Sequence, residues 1–156
     1  MCTSTDAGAW RPLQPAERHE IVAALKERGL HLTAQREAVS EAVFGCDGHI
    51  CAEHTLKKVS GSRPHLKVNK TTVYRSLYLL MELGLVVEHR CADGRAQYEP
   101  AYRGPHSHMI CRKCGRMLDL DREVMDSLRC QLRDRHGFQV DLESYPLLGL
   151  CSACRS

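Results

Sequence analysis

Asn69-Lys70-Thr71-Thr72-Val73-Tyr74-Arg75-Ser76-Leu77-Tyr78-Leu79-Leu80-Met81-Glu82-Leu83-Gly84 is the stretch on which the fold of this chain turns. Asn69 is a helix N-cap and Gly84 a left-handed stop, so Lys70 to Leu83 reads as the longest helix of the chain. Its apolar line is Val73, Leu77 and Leu80. At about 100° per residue, the opposite face carries Thr71, Arg75, Tyr78 and Glu82, with Tyr74 on the flank. Tyrosines, a threonine and an arginine on the wet side of a helix exceed what packing requires.

Upstream, Ile21, Ala24, Leu25 and Arg28 repeat at three and four from Glu17 and predict a helix ending at Gly29. Thr33 can cap a second helix through Phe44, with Ala38, Val39, Ala42 and Val43 inward. Gly45 to Gly48 is a turn, and Cys51 to Val59 a short third helix stopped by Ser60-Gly61-Ser62-Arg63-Pro64. Downstream, Leu85 to His89 and Ala96 to Glu99 are strands around a Cys91-Ala92-Asp93-Gly94-Arg95 turn, a hairpin. Three helices, a longer amphipathic helix and a hairpin is the order of a winged helix-turn-helix domain. It is expected over residues 16–100, after a loosely ordered, flexible N-terminus of residues 1–15.

The segment from Pro100 to Pro105 reads as a hinge, assigned to residues 101–105. Beyond it, residues 106–156 predict a small α/β domain. Its expected strands are at His108 to Ile110, Arg116 to Leu120, Phe138 to Val140 and Leu147 to Leu148. A helix from Asp121 to His136 (Val124, Leu128, Leu132) is stopped by Gly137, and the fold class is therefore α+β. Two Cys-x-x-Cys pairs, Cys111/Cys114 and Cys151/Cys154, bracket this domain. Two pairs separated by a folded segment read as the four thiolates of one tetrahedral structural zinc, against unrelated buried pairs or two disulfides. A domain of roughly fifty residues is short of what a lone core stabilises, and a zinc is a usual remedy.

Composition bounds the rest. The chain has 156 residues, 43% hydrophobic but only 5% aromatic, so its core is aliphatic. It has neither an apolar run long enough to span a membrane nor a signal-like start. Nine cysteines without an export signal indicate the reducing cytoplasm, where thiolates serve metal binding or redox sensing. Net charge is +3, but no acidic residue lies between Glu53 and Glu82, where Lys57, Lys58, Arg63, Lys67, Lys70 and Arg75 cluster with His54 and His65. Overlap of that run with the unexplained helix face points to phosphate.

At this point the chain resembles the ferric uptake regulator family of metal-responsive repressors. The resemblance rests on Leu32-Thr33-Ala34-Gln35-Arg36, Thr71-Thr72-Val73-Tyr74-Arg75-Ser76-Leu77, Leu83-Gly84-Leu85-Val86 and Tyr98-Glu99. It continues through His106-x-His108-x-x-Cys111-x-x-Cys114-Gly115, His136-Gly137-Phe138 and Gly149-x-Cys151-x-x-Cys154, and spans roughly residues 20 to 155. It implies a DNA-binding winged helix, a C-terminal dimerisation domain, and a regulatory metal at the joint between them. By position, the regulatory ligands it implies are His49, Glu99, His106, His108 and Asp119, with Cys46 or Cys51 as a competing soft ligand. Imidazoles with carboxylates suit Fe(II), Mn(II), Zn(II) or Co(II). A third family metal site is expected to be missing or degraded, because Pro105 and Ser107 stand where its ligands would be, and His31 stands where many members have a minor-groove lysine. Cys2, Cys91 and Cys130 are expected to be small buried hydrophobes.

The expectation is a cytoplasmic, homodimeric, metal-dependent repressor on an inverted-repeat double-stranded operator. It carries structural Zn(II) and, most readily, regulatory Fe(II), with Zn(II) or Mn(II) as alternatives. Tyr74 and Arg75 are placed near base edges, Thr71 and Thr72 near phosphates, and Arg36, Lys67, Lys70 and Arg95 on the DNA backbone. An enzyme is not expected: the His-x-Glu and Pro-Cys-x-x-Cys motifs of zinc deaminases do not occur. A zinc-responsive regulator, a peroxide sensor (towards which Asp119 leans) and a thiol-redox switch are the rival readings.

Overall fold

The computed structural model describes residues 11–46, 48–90, 94–104, 106–142 and 146–155. They divide into two units, one formed by residues 11–90 with 94–102, the other by residues 103–155.

The N-terminal unit runs α1 (Pro15–Glu27), α2 (Ala34–Phe44), α3 (Ala52–Ser62), α4 (Lys70–Glu82), β1 (Val86–Arg90) and β2 (Ala96–Pro100). Helix α1 starts at Pro15, two residues before the periodicity suggested, because proline suits the first helical position and the Glu17 carboxylate accepts the Gln14 backbone N–H at 2.8 Å. Arg11 grips the same carboxylate with both terminal nitrogens, at 2.8 and 2.7 Å, and donates to the Phe44 carbonyl at 2.7 Å. It thereby ties the start of α1 to the end of α2, and this guanidinium holds the Glu17 carboxyl below its usual range. Thr33 caps α2 through the Arg36 backbone N–H, and Asn69 caps α4 through that of Thr72. Helix α3 continues through Ser60-Gly61-Ser62, beyond the expected end at Val59. The Ser62 hydroxyl bonds the Lys58 carbonyl, a single glycine costs a helix only about 1 kcal/mol, and Pro64 is the actual stop.

The inward stripes meet in one aliphatic core: Ile21 and Leu25, then Ala38, Val39, Ala42 and Val43, then Val59, then Val73, Leu77 and Leu80. Tyr98 of β2 closes it, with burial pushing its hydroxyl up to about 12. Strands β1 and β2 pair antiparallel with Val87 opposite Glu99 and His89 opposite Gln97, and Ile50 bridges Tyr98 across the free edge of β2. Thr71, Tyr74, Arg75, Tyr78 and Glu82 lie exposed along α4.

The C-terminal unit opens with a 3-10 turn residue, Arg103, after Ala101 and Tyr102, where a hinge was expected. It continues with β3 (Ser107–Cys111), β4 (Met117–Leu120), α5 (Arg122–His136) and β5 (Leu147–Gly149), in sheet order β4-β3-β5. Strand β3 is antiparallel to β4 and parallel to β5. Helix α5, with 15 residues, exceeds the 13 of α4, correcting the expectation that α4 is longest. Phe138 to Val140 forms no strand: Gly137 ends α5 in a left-handed turn, Phe138 is exposed, and Val140 packs on a small cluster of Leu120, Met125 and Leu142. The inward side of α5 is Met125 and Leu128, while Val124 stands half exposed. Among the described residues the buried apolar clusters of this unit are small.

Candidate metal centres and nucleic-acid face

Parallel pairing of β3 with β5 sets Cys111 opposite Gly149, so both Cys-x-x-Cys knuckles leave the same end of the sheet. Backbone bonds lock them, among them Arg112 N–H to the Gly149 carbonyl, Gly115 N–H to that of Cys111, and Cys154 and Arg155 N–H to that of Cys151. Gly115 takes a positive φ of 72° to turn the first knuckle. The four sulfurs of Cys111, Cys114, Cys151 and Cys154 lie within 4.8 Å of one another. Zinc–sulfur bonds of 2.3 Å in a tetrahedron separate sulfurs by about 3.8 Å, and Cys114 and Cys151 Sγ stand 3.8 Å apart. Backbone N–H groups of Cys151 and Cys114 lower the Cys111 thiol to about 6, while burial and the neighbouring thiols push Cys154 up to about 12. Four thiols crowded this closely suit a dication that takes all four as thiolates.

Each unit also carries nitrogen and oxygen donors. In the N-terminal unit His49 Nε2 lies 3.4 Å from Glu99 Oε2, both side chains nearly sealed from solvent at 3% and 2% exposure. His89, which sequence reasoning did not single out, reaches the other oxygen of Glu99 at 2.6 Å, with its ring edge-on to His49 at 5.3 Å. The register explains the meeting. Residues facing each other across a ladder share a side of the sheet, so Val87, Glu99, Gln97 and His89 lie on one face of the hairpin. The Ile50–Tyr98 bridge brings His49 alongside Glu99 from the opposite edge. The available signal was alternation: His89 is an even step from Val87, but the pairing register was needed to use it.

In the C-terminal unit, His106 and His108 project from either side of Ser107, with their Nε2 atoms 2.9 Å apart and rings 4.5 Å between centres. Asp119 sits opposite His108 across β3 and β4, its carboxylate 3.6 Å from His106 and 3.9 Å from His108. Arg103 also reaches this carboxylate, at 3.4 Å. The His106 Nδ1 is engaged with the Gly104 carbonyl, which orients the ring with Nε2 towards its neighbours. Ser107 spends its hydroxyl on the Leu142 carbonyl, and Pro105 lies outside the described residues. Cys46 points at the His49 carbonyl at 3.8 Å and Cys51 at His54 Nδ1 at 3.2 Å.

Of the residues expected to face DNA, Thr71, Tyr74 and Arg75 are exposed on α4, and the Thr72 hydroxyl bonds the Asn69 cap. Lys70 is exposed, 3.2 Å from Glu53 and 5.8 Å from the Tyr74 ring centre. Lys67 is exposed and its carbonyl accepts from Gln35, Arg36 donates to the His31 carbonyl, and Arg95 is half buried next to β2. Cys130 is exposed on α5, not buried as expected, because it falls on the polar side of the helix between Arg129 and Gln131. Cys2 and Cys91 lie outside the described residues.

The profile described as the Ferric uptake regulator family matches residues 27–144. The chain is 30% identical over 132 residues to the ferric uptake regulation protein of Campylobacter jejuni, covering 85% of this chain and 84% of that protein. It is also 30% identical over 138 residues to the peroxide operon regulator of Bacillus subtilis, covering 88% and 93%. In fold it is similar to the ferric uptake regulator of Helicobacter pylori, with a TM-score of 0.72 at 19% identity over 94% and 97% of the two chains. A zinc uptake regulator complexed with zinc and DNA matches with a TM-score of 0.51 and 27% identity over 88% and 90%. Among the described residues no helix is long and apolar enough to cross a membrane.

Proposed function

Because the chain belongs to the ferric uptake regulator family, we propose that it is a metal-dependent DNA-binding repressor controlling metal-uptake or metal- and oxidative-stress genes, with Fe(II) as its regulatory metal. The observation that carries this reading is the separation of ligand chemistry. Four thiols share one cage, while His49, Glu99, His106, His108 and Asp119 supply imidazole and carboxylate donors and no thiol. The all-sulfur set fits a closed structural zinc, and the nitrogen–oxygen sets fit an exchangeable first-row dication. In this reading the regulatory ligands are His49, Glu99, His106, His108 and Asp119.

The DNA side rests on α4 as recognition helix of a winged helix-turn-helix. Its outward Thr71, Tyr74 and Arg75 follow an acid-free run, and a zinc uptake regulator of similar fold is bound to DNA. Tyr74 and Arg75 then read bases, while Thr71, Thr72, Lys67, Lys70, Arg36 and Arg95 meet the backbone. Exposed Leu147 and Leu148 on the edge strand β5 support a homodimer, and a twofold dimer matches an inverted-repeat operator. The reading is of a cytoplasmic regulator with no catalytic role. It is tested by titrating the zinc-loaded protein anaerobically with Fe(II), Mn(II) and Zn(II) while following binding to an inverted-repeat operator. Fe(II) is expected to tighten binding at the lowest free concentration; a response to none of the three sinks the proposal.

One observation favours a zinc response as the second reading. The nitrogen–oxygen sets are rich in imidazole, counting His89, and imidazole-rich sites suit zinc as well as iron and disfavour Mn(II). The same titration separates the two.

A further inference from the structure

We propose that His89 is a metal ligand which, with His49 and Glu99, supplies three donors from the N-terminal unit to a divalent cation that accepts imidazole nitrogen. The inference deepens the metal-sensing reading and rests on it for the site's regulatory meaning, though not for the binding itself.

The geometry is set by the backbone. Glu99 occupies the middle of three neighbouring extended segments, with β1 on one side and the chain at Ile50 on the other. His89 approaches one carboxylate oxygen at 2.6 Å and His49 the other at 3.4 Å, and one donor atom from each of the three lies within 4.8 Å of the others. Bonds of about 2.1 Å in a tetrahedral arrangement separate donors by about 3.4 Å. The His49 pair already has that spacing, and the His89 pair reaches it by opening less than about 1 Å. Two of the three side chains are sealed, whereas His89 is 31% exposed, which leaves an entry side. A buried carboxylate flanked by two imidazoles is an N₂O donor set; ions preferring all-oxygen sites gain little from it.

Metal binding to the full-length, zinc-loaded protein tests this, with Co(II) as probe, followed by visible absorption and equilibrium dialysis. His106→Ala with His108→Ala is expected to retain one Co(II) beyond the structural zinc. Adding His89→Ala should weaken that binding by more than about a hundredfold, beyond the loss typical of a residue that merely orients a ligand, and shift the Co(II) bands. His89→Gln should behave as His89→Ala. Circular dichroism and thermal unfolding without Co(II) verify that each variant is folded. If the double variant binds no Co(II), or if adding His89→Ala leaves affinity and spectrum unchanged, the inference is overturned. DNA binding is scored separately, in the parent protein: Co(II) binding through His89 with an operator affinity that ignores metal in the parent leaves this inference standing and defeats the repressor reading.

Discussion

Arg63 Nη2 lies 2.8 Å from Oε1 of Glu41, a side chain only 4% exposed on α2, so the cation that ends α3 is tied back into the helical unit. Burial raises the Glu41 carboxyl above its ordinary 4.5, with Glu37 adding to the rise and Arg63 and the Leu13 backbone opposing it. The folded state therefore holds this proton more tightly than the unfolded chain. Its contribution to stability is complete below about 4.5 and is lost as pH rises through the raised value. Glu41→Gln keeps an acceptor for Arg63 and removes the buried charge. Chemical denaturation from pH 4 upward should show this fall in stability in the parent and its absence in Glu41→Gln, which is expected to match or exceed the parent at pH 7. Glu41→Ala, losing the hydrogen bond and leaving a void, should cost about 1–3 kcal/mol.

Among the described residues of the C-terminal unit the buried apolar clusters are only Leu120, Met125 and Leu142, and Ile110 with Met117. Structural zinc in small domains contributes on the order of ten kcal/mol. Cys114→Ser should release the metal, lower the unfolding temperature of the C-terminal unit and abolish dimerisation, as read by zinc analysis, calorimetry and sedimentation. A zinc-bound, thermally unchanged dimer would defeat the assignment. Chelation of the parent protein should reproduce the variant.

Most helices were legible because their ends carry local chemistry: Thr33 and Asn69 as caps, Gly84 and Gly137 as stops. The cysteine cage was legible because spacing alone constrains four thiols. What escaped was set by contacts distant in sequence. His89 gains its meaning only from the β1–β2 register, which the polar pattern Glu88-His89-Arg90 does not reveal. Phe138 to Val140 has strand composition but pairs with no strand among the described residues, since Gly137 redirects the chain and Val140 is used in packing instead. The end of α3 was misjudged because Ser60-Gly61-Ser62 resembles a loop, while the terminating signal sits at Pro64.

Lys70, the first residue of α4, pairs with Glu53 of α3, and the carboxylate raises the lysine's affinity for its proton. Binding phosphate there means exchanging one partner for another. Lys70→Ala should weaken operator and random DNA alike and lower the salt slope by about one unit or less. Glu53→Gln, which frees the lysine and removes a nearby negative charge, should tighten both alike by less than about tenfold, since an exposed ion pair is weak and screened by salt. Tyr74→Ala should instead erode the ratio between operator and random DNA. Fluorescence anisotropy at several salt concentrations separates the three patterns. Unchanged operator affinity in all three variants would show that α4 does not face DNA.

The switch prediction begins from where the proposed regulatory donors lie along the chain. His49 and Glu99 belong to the N-terminal unit, and His106, His108 and Asp119 to the C-terminal one. In the reading proposed above, a metal that drew ligands from both would restrain one unit against the other. In a dimer, two recognition helices must reach major grooves about 34 Å apart, so such a restraint can turn binding on. The attainable shift equals the metal's difference in affinity between competent and incompetent arrangements, and no more. His106→Ala with His108→Ala should therefore keep the structural zinc, the fold and the dimer, yet show no tightening on the operator when metal is added. By reciprocity, operator DNA should raise the parent protein's metal affinity by the same factor by which metal raises its DNA affinity. The two factors, measured by calorimetry and by anisotropy on one preparation, must agree. A double variant with a full metal response would move the sensing function to the N-terminal set of His49, His89 and Glu99 acting alone.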